Sequence, residues 1–415
     1  MSTFTSPPSF DIYSPDFEDN RYEIYAELRR EHPVFWHEQT QSWFITRYED
    51  VSKLLVGDAF ITSPLIGNKM VNVEAGSADK FDEIINVIRT WMIYNDQPVH
   101  TRARRHMSRA FWTQELDQIR PEISRIVRER IARADISGGQ FDFVRTIAHP
   151  IPALVLCQML GIHGADVERF IGWSDDIAAF MQDFVVHPRP DETISSKTSQ
   201  SIVEIHEYLT ASISERRARP QNDLLSRLIA DNPSENGELF DSELINQVIH
   251  LIFGGHKIPQ FLLSNTLNLL FLHPKVQADL QNGRIDSGAV VDEAMRLEGP
   301  IQYITRHAAT DIVVHGETIR ANDSVYMMLG SAGRDESVFA DASQFLPGRK
   351  GPRSLGFGGG YHACIAGAFA RMEVVEILNQ VLAEVPTAKP LYDVSSPDWT
   401  KNPTFHGILT MPIEV

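Results

Sequence analysis

Residues 357–366 read Phe-Gly-Gly-Gly-Tyr-His-Ala-Cys-Ile-Ala, and this segment is the most informative one in the chain. Its three successive glycines allow the backbone to turn tightly and to approach a flat group without Cβ clashes. Cys364 sits at the start of a predicted helix that continues over residues 365–385, so helical amide groups would favour its thiolate, a strong ligand for a redox-active metal. A lone cysteine at a helix start is otherwise an ordinary buried residue.

The segment resembles the cysteine-ligand loop of the cytochrome P450 superfamily, the haem-thiolate monooxygenases, which reads Phe-Gly-x-Gly-x-His-x-Cys-x-Gly. Residues 357–366 match this pattern except that Ala366 replaces the last glycine. The resemblance covers nearly the whole chain. It implies a mainly α fold with small β-sheets, formed as a single domain over residues 1–415. It also implies haem b (iron protoporphyrin IX) between distal and proximal helices, with Cys364 as the metal ligand.

A second matching motif is Glu293-Ala-Met-Arg296, the family's Glu-x-x-Arg pair, which lies in a helix on the proximal side. The spacing places both side chains on one helix face, where they can form an ion pair. Family members often carry Asp-Arg-Phe in the later meander, and that arginine joins the pair. Here Ser343-Gln344-Phe345 occupies this stretch, so the network is either reduced to the pair or completed by Gln344 through neutral hydrogen bonds.

The resemblance also assigns contacts to the cofactor. His100 and Arg104 match a His-x-x-x-Arg motif whose spacing suits two neighbouring carboxylates, which are the haem propionates. Arg306 and His362 match two further propionate donors, and Phe357 is the aromatic residue of the ligand loop. Each of these basic residues taken alone is more typical of a solvated surface.

The predicted distal helix departs from the family. Members usually carry Ala/Gly-Gly-x-Asp/Glu-Thr over the iron, whereas this chain reads Gly254-Gly255-His256-Lys257-Ile258-Pro259. Lys257 replaces the acid and Ile258 replaces the alcohol, so both proton-handling groups are missing. Pro259 should kink or open the helix and leave the Gly255 carbonyl free for water or a ligand. The alternative is a helix break without a chemical role.

Two interpretations of the role of Lys257 remain open. It lies close to Gly254 on the helical projection and can reach the pocket, or it pairs with an acid on a neighbouring helix. His256 points away from Gly254 and Ile258 and is expected to pack in the protein. Some family members place a basic residue here, followed by proline, to hold a substrate carboxylate near the iron.

Three functions therefore compete. The first is an oxidase of a small hydrophobic or aromatic secondary-metabolite intermediate that uses O2 and ferredoxin, with water or substrate completing the proton path. Oxidative coupling or another non-hydroxylating outcome fits it best. The second is a peroxide-driven peroxygenase in which Lys257 anchors a substrate carboxylate, and the third is a non-catalytic haem-binding sensor. The segments that contact substrate in this family contain five pocket candidates, which are Trp91, Ile93, Phe180, Phe184 and Phe405.

Composition limits the partners. The 415 residues contain 38 Lys and Arg against 55 Asp and Glu, a net charge of −17, which argues against a general nucleic-acid binder. No targeting or membrane segment is evident, so we expect a soluble, cytoplasmic protein. The chain has no FAD or NADPH motif, which implies a ferredoxin or flavodoxin with a separate reductase. Two basic clusters are candidates for docking this acidic partner: Arg102, Arg104, Arg105 and Arg109, then Arg349, Lys350 and Arg353.

The remaining pattern predicts the order of the elements. A helix is expected over residues 20–33 and a hairpin over residues 34–48, where apolar and polar residues alternate. Residues 100–285 are mainly helical, with breaks near 187–190, 219–223 and 231–238. Short strands return between residues 301 and 330.

Overall fold

Local sequence signals set the ends of the first helix. The Ser14 side chain accepts a hydrogen bond from the Phe17 amide, and Pro15 occupies the first helical position. The helix ends at Glu31, before Pro33, and buries Phe17, Tyr25 and Leu28. The predicted helix over residues 20–33 is therefore confirmed, with one additional turn at its N-terminus.

A computed structural model describes residues 9–63, 80–108, 113–134, 139–187, 189–230 and 239–415. Its helices are α1 (Pro15–Glu31), α2 (Tyr48–Val56), α3 (Lys80–Ile88), α4 (Val99–Ser108), α5 (Thr113–Arg133), α6 (Pro150–Leu160), α7 (Asp166–Val186), α8 (Glu192–Ala218), α9 (Leu224–Ala230), α10 (Asp241–Leu272), α11 (Pro274–Gln281), α12 (Ser287–Leu297), α13 (Leu329–Ala332) and α14 (Gly367–Glu384). Its strands are β1 (Val34–His37), β2 (Ser42–Ile45), β3 (Phe60–Ile61), β4 (Gln140–Asp142), β5 (Ile304–Ala308), β6 (Ile312–Val314), β7 (Glu317–Ile319), β8 (Ser324–Met327), β9 (Lys389–Pro390) and β10 (Pro412–Glu414).

The strands form three small sheets. The largest has the order β1-β2-β8-β5-β3, and β1 and β2 pair as the predicted antiparallel hairpin, with Val34 opposite Ile45. Within it β2 and β8 run parallel. The other sheets are β4-β10-β9 and β6-β7. The expected strands between residues 301 and 330 are thus confirmed as β5 to β8.

Helix α10 is the centre of the helical part. It spans 32 residues and packs against α6, α7, α8, α12 and α14. Most of its residues are buried, and its buried aliphatic side chains belong to one continuous apolar core. The prediction of a mainly helical protein with minor sheets is therefore confirmed. Two of the predicted helix breaks coincide with the ends of α7 and α8, and the break at residues 231–238 lies outside the described residues.

Candidate functional site

The cysteine loop is held by its own backbone and by α2. The Cys364 amide donates to the Phe357 carbonyl over 2.8 Å, and the Gly358 amide donates to Leu355 over 2.7 Å. Gly360 has a φ of +63°, and a Cβ there would lie 2.3 Å from the Leu55 carbonyl oxygen of α2. Both facts require glycine at this position. Cys364 itself is exposed although the loop around it is packed.

The electrostatics of Cys364 correct one expectation. Helix α14 begins at Gly367, so Cys364 lies before the helix rather than at its start. Although Cys364 is partly accessible, the packed loop around it desolvates the thiol and raises its pKa, and the Ala366 amide and the Arg104 guanidinium only partly oppose this. The protein alone therefore does not favour the thiolate. A metal ion would reverse the balance, because a coordinating thiol is deprotonated.

Four basic side chains gather from three separate elements. His100 and Arg104 lie on α4, Arg306 on β5, and His362 in the turn before Cys364. The rings of His100 and His362 are 4.3 Å apart, centroid to centroid. Burial and the charges of His362 and Arg104 lower the pKa of His100 to about 4, and burial lowers that of Arg306 to about 10.

Asp96 is the carboxylate that the described part of the chain places beside this basic cluster. Neither Arg104 nor Arg306 forms an ion pair there, and His100 Nδ1 and His362 Nε2 are buried without a hydrogen-bond partner. Asp96 Oδ1 lies 3.8 Å from His362 Nε2, within ion-pair distance, and also accepts a hydrogen bond from the Thr62 amide. The cluster therefore fits a bound group with two carboxylates next to an exposed thiol, which is the chemistry of haem.

The distal helix α10 has one open face within its buried length. Phe253, Lys257 and Ile258 are half-buried, and Gly254 is exposed. A Cβ added at Gly254 would meet nothing within 4 Å, so this face borders a cleft. The helix continues through Pro259 without interruption, contrary to a complete break. Since Pro259 has no N–H, the Gly255 carbonyl still lacks its usual partner within the helix.

His256 and Lys257 have partners within the protein. His256 is fully buried, and its ring nitrogens lie 2.8 Å from Ser174 Oγ and 2.8 Å from the His149 carbonyl. Lys257 Nζ lies 2.8 Å from Asp175 Oδ1 of α7. Lys257 is thus paired with an acid on a neighbouring helix, which was the second of the two interpretations of this residue. A substrate carboxylate would have to displace Asp175.

The buried ion-pair network on the proximal side has a third member that the sequence analysis missed. Arg296 Nη2 lies 2.7 Å from Glu293 Oε1, and Arg349 Nε lies 3.1 Å from the same oxygen. Gln344 contributes only its backbone carbonyl, which accepts from Arg296 over 3.0 Å. Gln344 thus joins the network through neutral hydrogen bonds, as one of the two expectations held, but with its backbone carbonyl, and it does not supply the charge of the family's arginine. Arg349 takes this role because the meander returns it to α12.

These contacts also reduce the predicted docking clusters. Arg349 is internal, and Arg102 is bound to Glu243 of α10 over 3.0 Å. Arg104 lies in the basic cluster near Cys364. The exposed members in the described part of the chain are Arg105, Lys350 and Arg353, and Arg109 lies outside it.

The pocket candidates separate into three groups. Phe405 packs edge-on against Phe253 of α10 with ring centroids 6.2 Å apart, and Trp91 stacks on Phe253 with ring centroids 5.8 Å apart. Phe253 was missed because helical aromatics usually indicate only core. Phe180 and Phe184 stack on each other and against Phe81, so they form core rather than a cleft wall. Ile93 is 40% exposed and lies at the surface.

The comparisons with known proteins agree with this geometry. Residues 12–283 and 288–398 match the cytochrome P450 family. The biotin biosynthesis cytochrome P450 of Bacillus subtilis (strain 168) is 27% identical over 395 residues, which cover 94% of this chain and 95% of that protein. The cytochrome P450 monooxygenase PikC of Streptomyces venezuelae is 28% identical over 428 residues, covering 100% and 96%.

A solved structure extends the comparison to three dimensions. P450BioI, in complex with an acyl carrier protein that carries hexadec-9Z-enoic acid, has a TM-score of 0.84 and 26% identity. The match covers 97% of this chain and 100% of that one. Within the described ranges, no helix has the length and apolar character needed to cross a bilayer. The matched family, the exposed Cys364 and the basic cluster beside it together place this chain in the cytochrome P450 family, as a haem-thiolate monooxygenase.

Proposed function

We propose that the protein binds haem b and uses O2 and electrons from a ferredoxin or flavodoxin to oxidise a small hydrophobic or aromatic secondary metabolite. The observation that carries the proposal is the basic cluster beside Cys364, whose two arginines have no ion-pair partner among the described residues. His100, Arg104, Arg306 and His362 would hold the two propionates, and Cys364 would bind the iron. The haem, when bound, supplies the activation of oxygen.

The cysteine inventory supports a non-covalent haem. The only other cysteine, Cys157, is buried in α6, and burial raises the pKa of its thiol to about 12. The sequence also contains no Cys-x-x-Cys-His segment of the kind that attaches haem c. Both facts favour haem b.

The distal cleft supports the choice of substrate and oxidant. Phe253 and Phe405 provide an apolar wall, which suits a hydrophobic or aromatic molecule. Because Asp175 already neutralises Lys257, the peroxygenase alternative loses its carboxylate anchor. Ile258 cannot relay a proton, so a non-hydroxylating outcome such as oxidative coupling remains part of the proposal.

The electron donor is inferred from charge. Lys350 and Arg353 are exposed near the cysteine loop of a protein with net charge −17, and a basic patch of this kind attracts an acidic protein. A separate ferredoxin and its reductase would place the protein in the cytoplasm.

Two variants test the cofactor assignment. Cys364→Ser should abolish the thiolate-specific absorption band of the reduced, CO-bound protein, whereas the matched control Cys157→Ser should keep it. Retention of this band in Cys364→Ser would refute the ligand assignment.

Turnover then tests the oxidant. Product formation with ferredoxin, reductase and NADPH, but not with hydrogen peroxide alone, would support the proposal. The reverse result would favour a peroxygenase. Failure of both, with haem bound, would favour a sensor.

A further inference from the structure

A polar cluster beside the open face of α10 is not explained by the family comparison. Lys257 lies on the open face of α10, between Phe253 and Gly254 in helical projection, and replaces the family's acid. Its ammonium lies 2.8 Å from Asp175 Oδ1 and 3.2 Å from His149 Nδ1. His149 Nε2 in turn lies 3.3 Å from Asp175 Oδ2. The three titratable groups therefore form one continuous set of contacts at the cleft.

The backbone fixes the position of His149. A π-helical turn, Val144–Ala148, ends at His149, and Pro150 begins α6 directly after it. The His149 amide donates to the Val144 carbonyl over 2.8 Å, and its carbonyl faces His256 Nε2 at 2.8 Å. Turns of this kind are frequent at functional sites.

The neighbours of His149 provide hydrogen-bond partners for both of its ring nitrogens in the neutral and in the charged state. Nε2 faces the Asp175 carboxylate in both, so it keeps its proton. In the neutral ring Nδ1 accepts from the Lys257 ammonium. In the charged ring Nδ1 carries a proton and donates to Gln260 Oε1, which lies 3.1 Å away. Nδ1 therefore has a hydrogen-bond partner whether it carries a proton or not.

The surrounding charges agree with this function. Burial raises the pKa of the Asp175 carboxyl, but His149 and Lys257 outweigh burial and hold it well below its usual range. Asp175 is therefore a permanent anion. Burial and the charges of Lys257 and His149 lower the pKa of His256 to about 3, so this ring stays neutral. The Asp175 side chain is 38% exposed, which lets water reach the cluster.

A metal site is the competing interpretation. Ligand atoms of His149, Asp175 and His256 lie within 4.8 Å of one another. However, both ring nitrogens of His256 face polar partners at 2.8 Å, and the Lys257 ammonium occupies the open side of Asp175. A cation would have to displace both, so the contacts favour proton handling.

We propose that His149 and Lys257, positioned by Asp175 and Gln260, form a proton relay into the distal cleft and replace the missing acid–alcohol pair. An N–H bond of Lys257 breaks as its proton passes to an oxygen atom in the cleft. The proton on His149 Nδ1 then restores the ammonium, and solvent water reprotonates His149. One proton enters and one leaves, and no electron moves. This inference rests on the proposed function and supplies its proton source.

The first test measures how the electrons from NADPH are divided between hydrogen peroxide and water. The haem-loaded enzyme is supplied with plant-type ferredoxin, its NADPH-dependent reductase and O2, and hydrogen peroxide is measured against NADPH consumed. His149→Gln keeps hydrogen-bonding groups but cannot carry a proton through a ring. Lys257→Arg keeps the cation and the Asp175 pair, but arginine does not release a proton.

The matched control is Asp176→Asn, since Asp176 adjoins Asp175 on α7 but binds Ser201 Oγ of α8 over 2.6 Å. We expect the ratio of peroxide to water to rise about tenfold or more in His149→Gln and Lys257→Arg, because a positioned proton donor contributes roughly 10²-fold or more. The control should match the wild type. We also expect Lys257→Arg to keep the wild-type unfolding temperature, which separates the relay from a structural role. If Lys257→Arg or His149→Gln shows the same ratio of peroxide to water as the wild type, the proposal is overturned.

The second test does not depend on turnover. The ¹⁵N signals of the His149 ring are assigned by their absence in His149→Gln and followed against pH in the reduced, CO-bound protein, which is diamagnetic. The relay requires that Nδ1 loses its proton as pH rises while Nε2 keeps its own, and that Asp175→Asn removes this preference. A proton that stays on Nδ1 at every pH in the range of histidine titration would refute it. If the wild type consumes no O2 with ferredoxin, the proposed function fails and this second test alone decides the relay.

Discussion

The internal position of Arg349 leads to a prediction that can be worked out from its contacts. Its Nε donates to Glu293 Oε1 over 3.1 Å, and the guanidinium also donates to the carbonyls of Ala340, Asp341 and Gln344. The Glu293 side chain is 5% exposed and also receives Arg296 and the Leu346 amide over 3.0 Å. We therefore expect Arg349→Ala to destabilise the protein without leaving Glu293 completely unpaired.

The magnitude follows from what each substitution removes. Arg349→Ala removes one charged hydrogen bond to a buried carboxylate, which costs about 1.5–3 kcal/mol. The carbonyls it releases lie on the exposed side of the guanidinium and can bind water, so they add little. Arg296→Ala breaks the buried pair itself and should cost about 3–5 kcal/mol. We expect about 2 kcal/mol for Arg349→Ala.

Denaturant unfolding of the haem-loaded protein, followed by far-ultraviolet circular dichroism, measures this difference. The control is Lys350→Ala, an exposed basic residue next in sequence, which should change the free energy of unfolding by less than about 0.5 kcal/mol. If Arg349→Ala and Lys350→Ala have the same small effect, Arg349 does not belong to the network. The original assignment of both to a docking surface would then stand.

Three further predictions concern other parts of the molecule. Gly360→Ala should reduce haem incorporation, measured as haem absorbance per protein. The φ of +63° costs an alanine about 1–2 kcal/mol, and the new Cβ would clash with Leu55. Burial lowers the pKa of His406 from 6.5 to about 4, so the protein loses stability as pH falls from 6.5 towards 4. His406→Gln should flatten that part of the curve of unfolding free energy against pH, and an unchanged slope would contradict this. Ile258→Thr adds an alcohol at the open face of α10 and should lower the share of peroxide, so an unchanged share would show that an alcohol there does not assist proton delivery.

The haem-ligand segment illustrates how much a linear pattern can determine. The three glycines before Cys364 predict a tight turn, because only glycine adopts a positive φ at Gly358 and Gly360 without strain. Helical periodicity and proline positions likewise predict α1 and the hairpin that follows, since their signals are local. The spacing of Glu293 and Arg296 also suffices to predict their pairing on one helix face.

The roles of Lys257 and Arg349 depended instead on the tertiary structure. Sequence left Lys257 either facing the pocket or paired with an acid, because its partners Asp175 and His149 come from other elements. Arg349 had the features of a surface charge, and only the path of the meander brings it to Glu293. Contacts within a few residues follow from backbone geometry and side-chain type. Contacts between distant segments depend on how the helices pack, and no local pattern of residues encodes that.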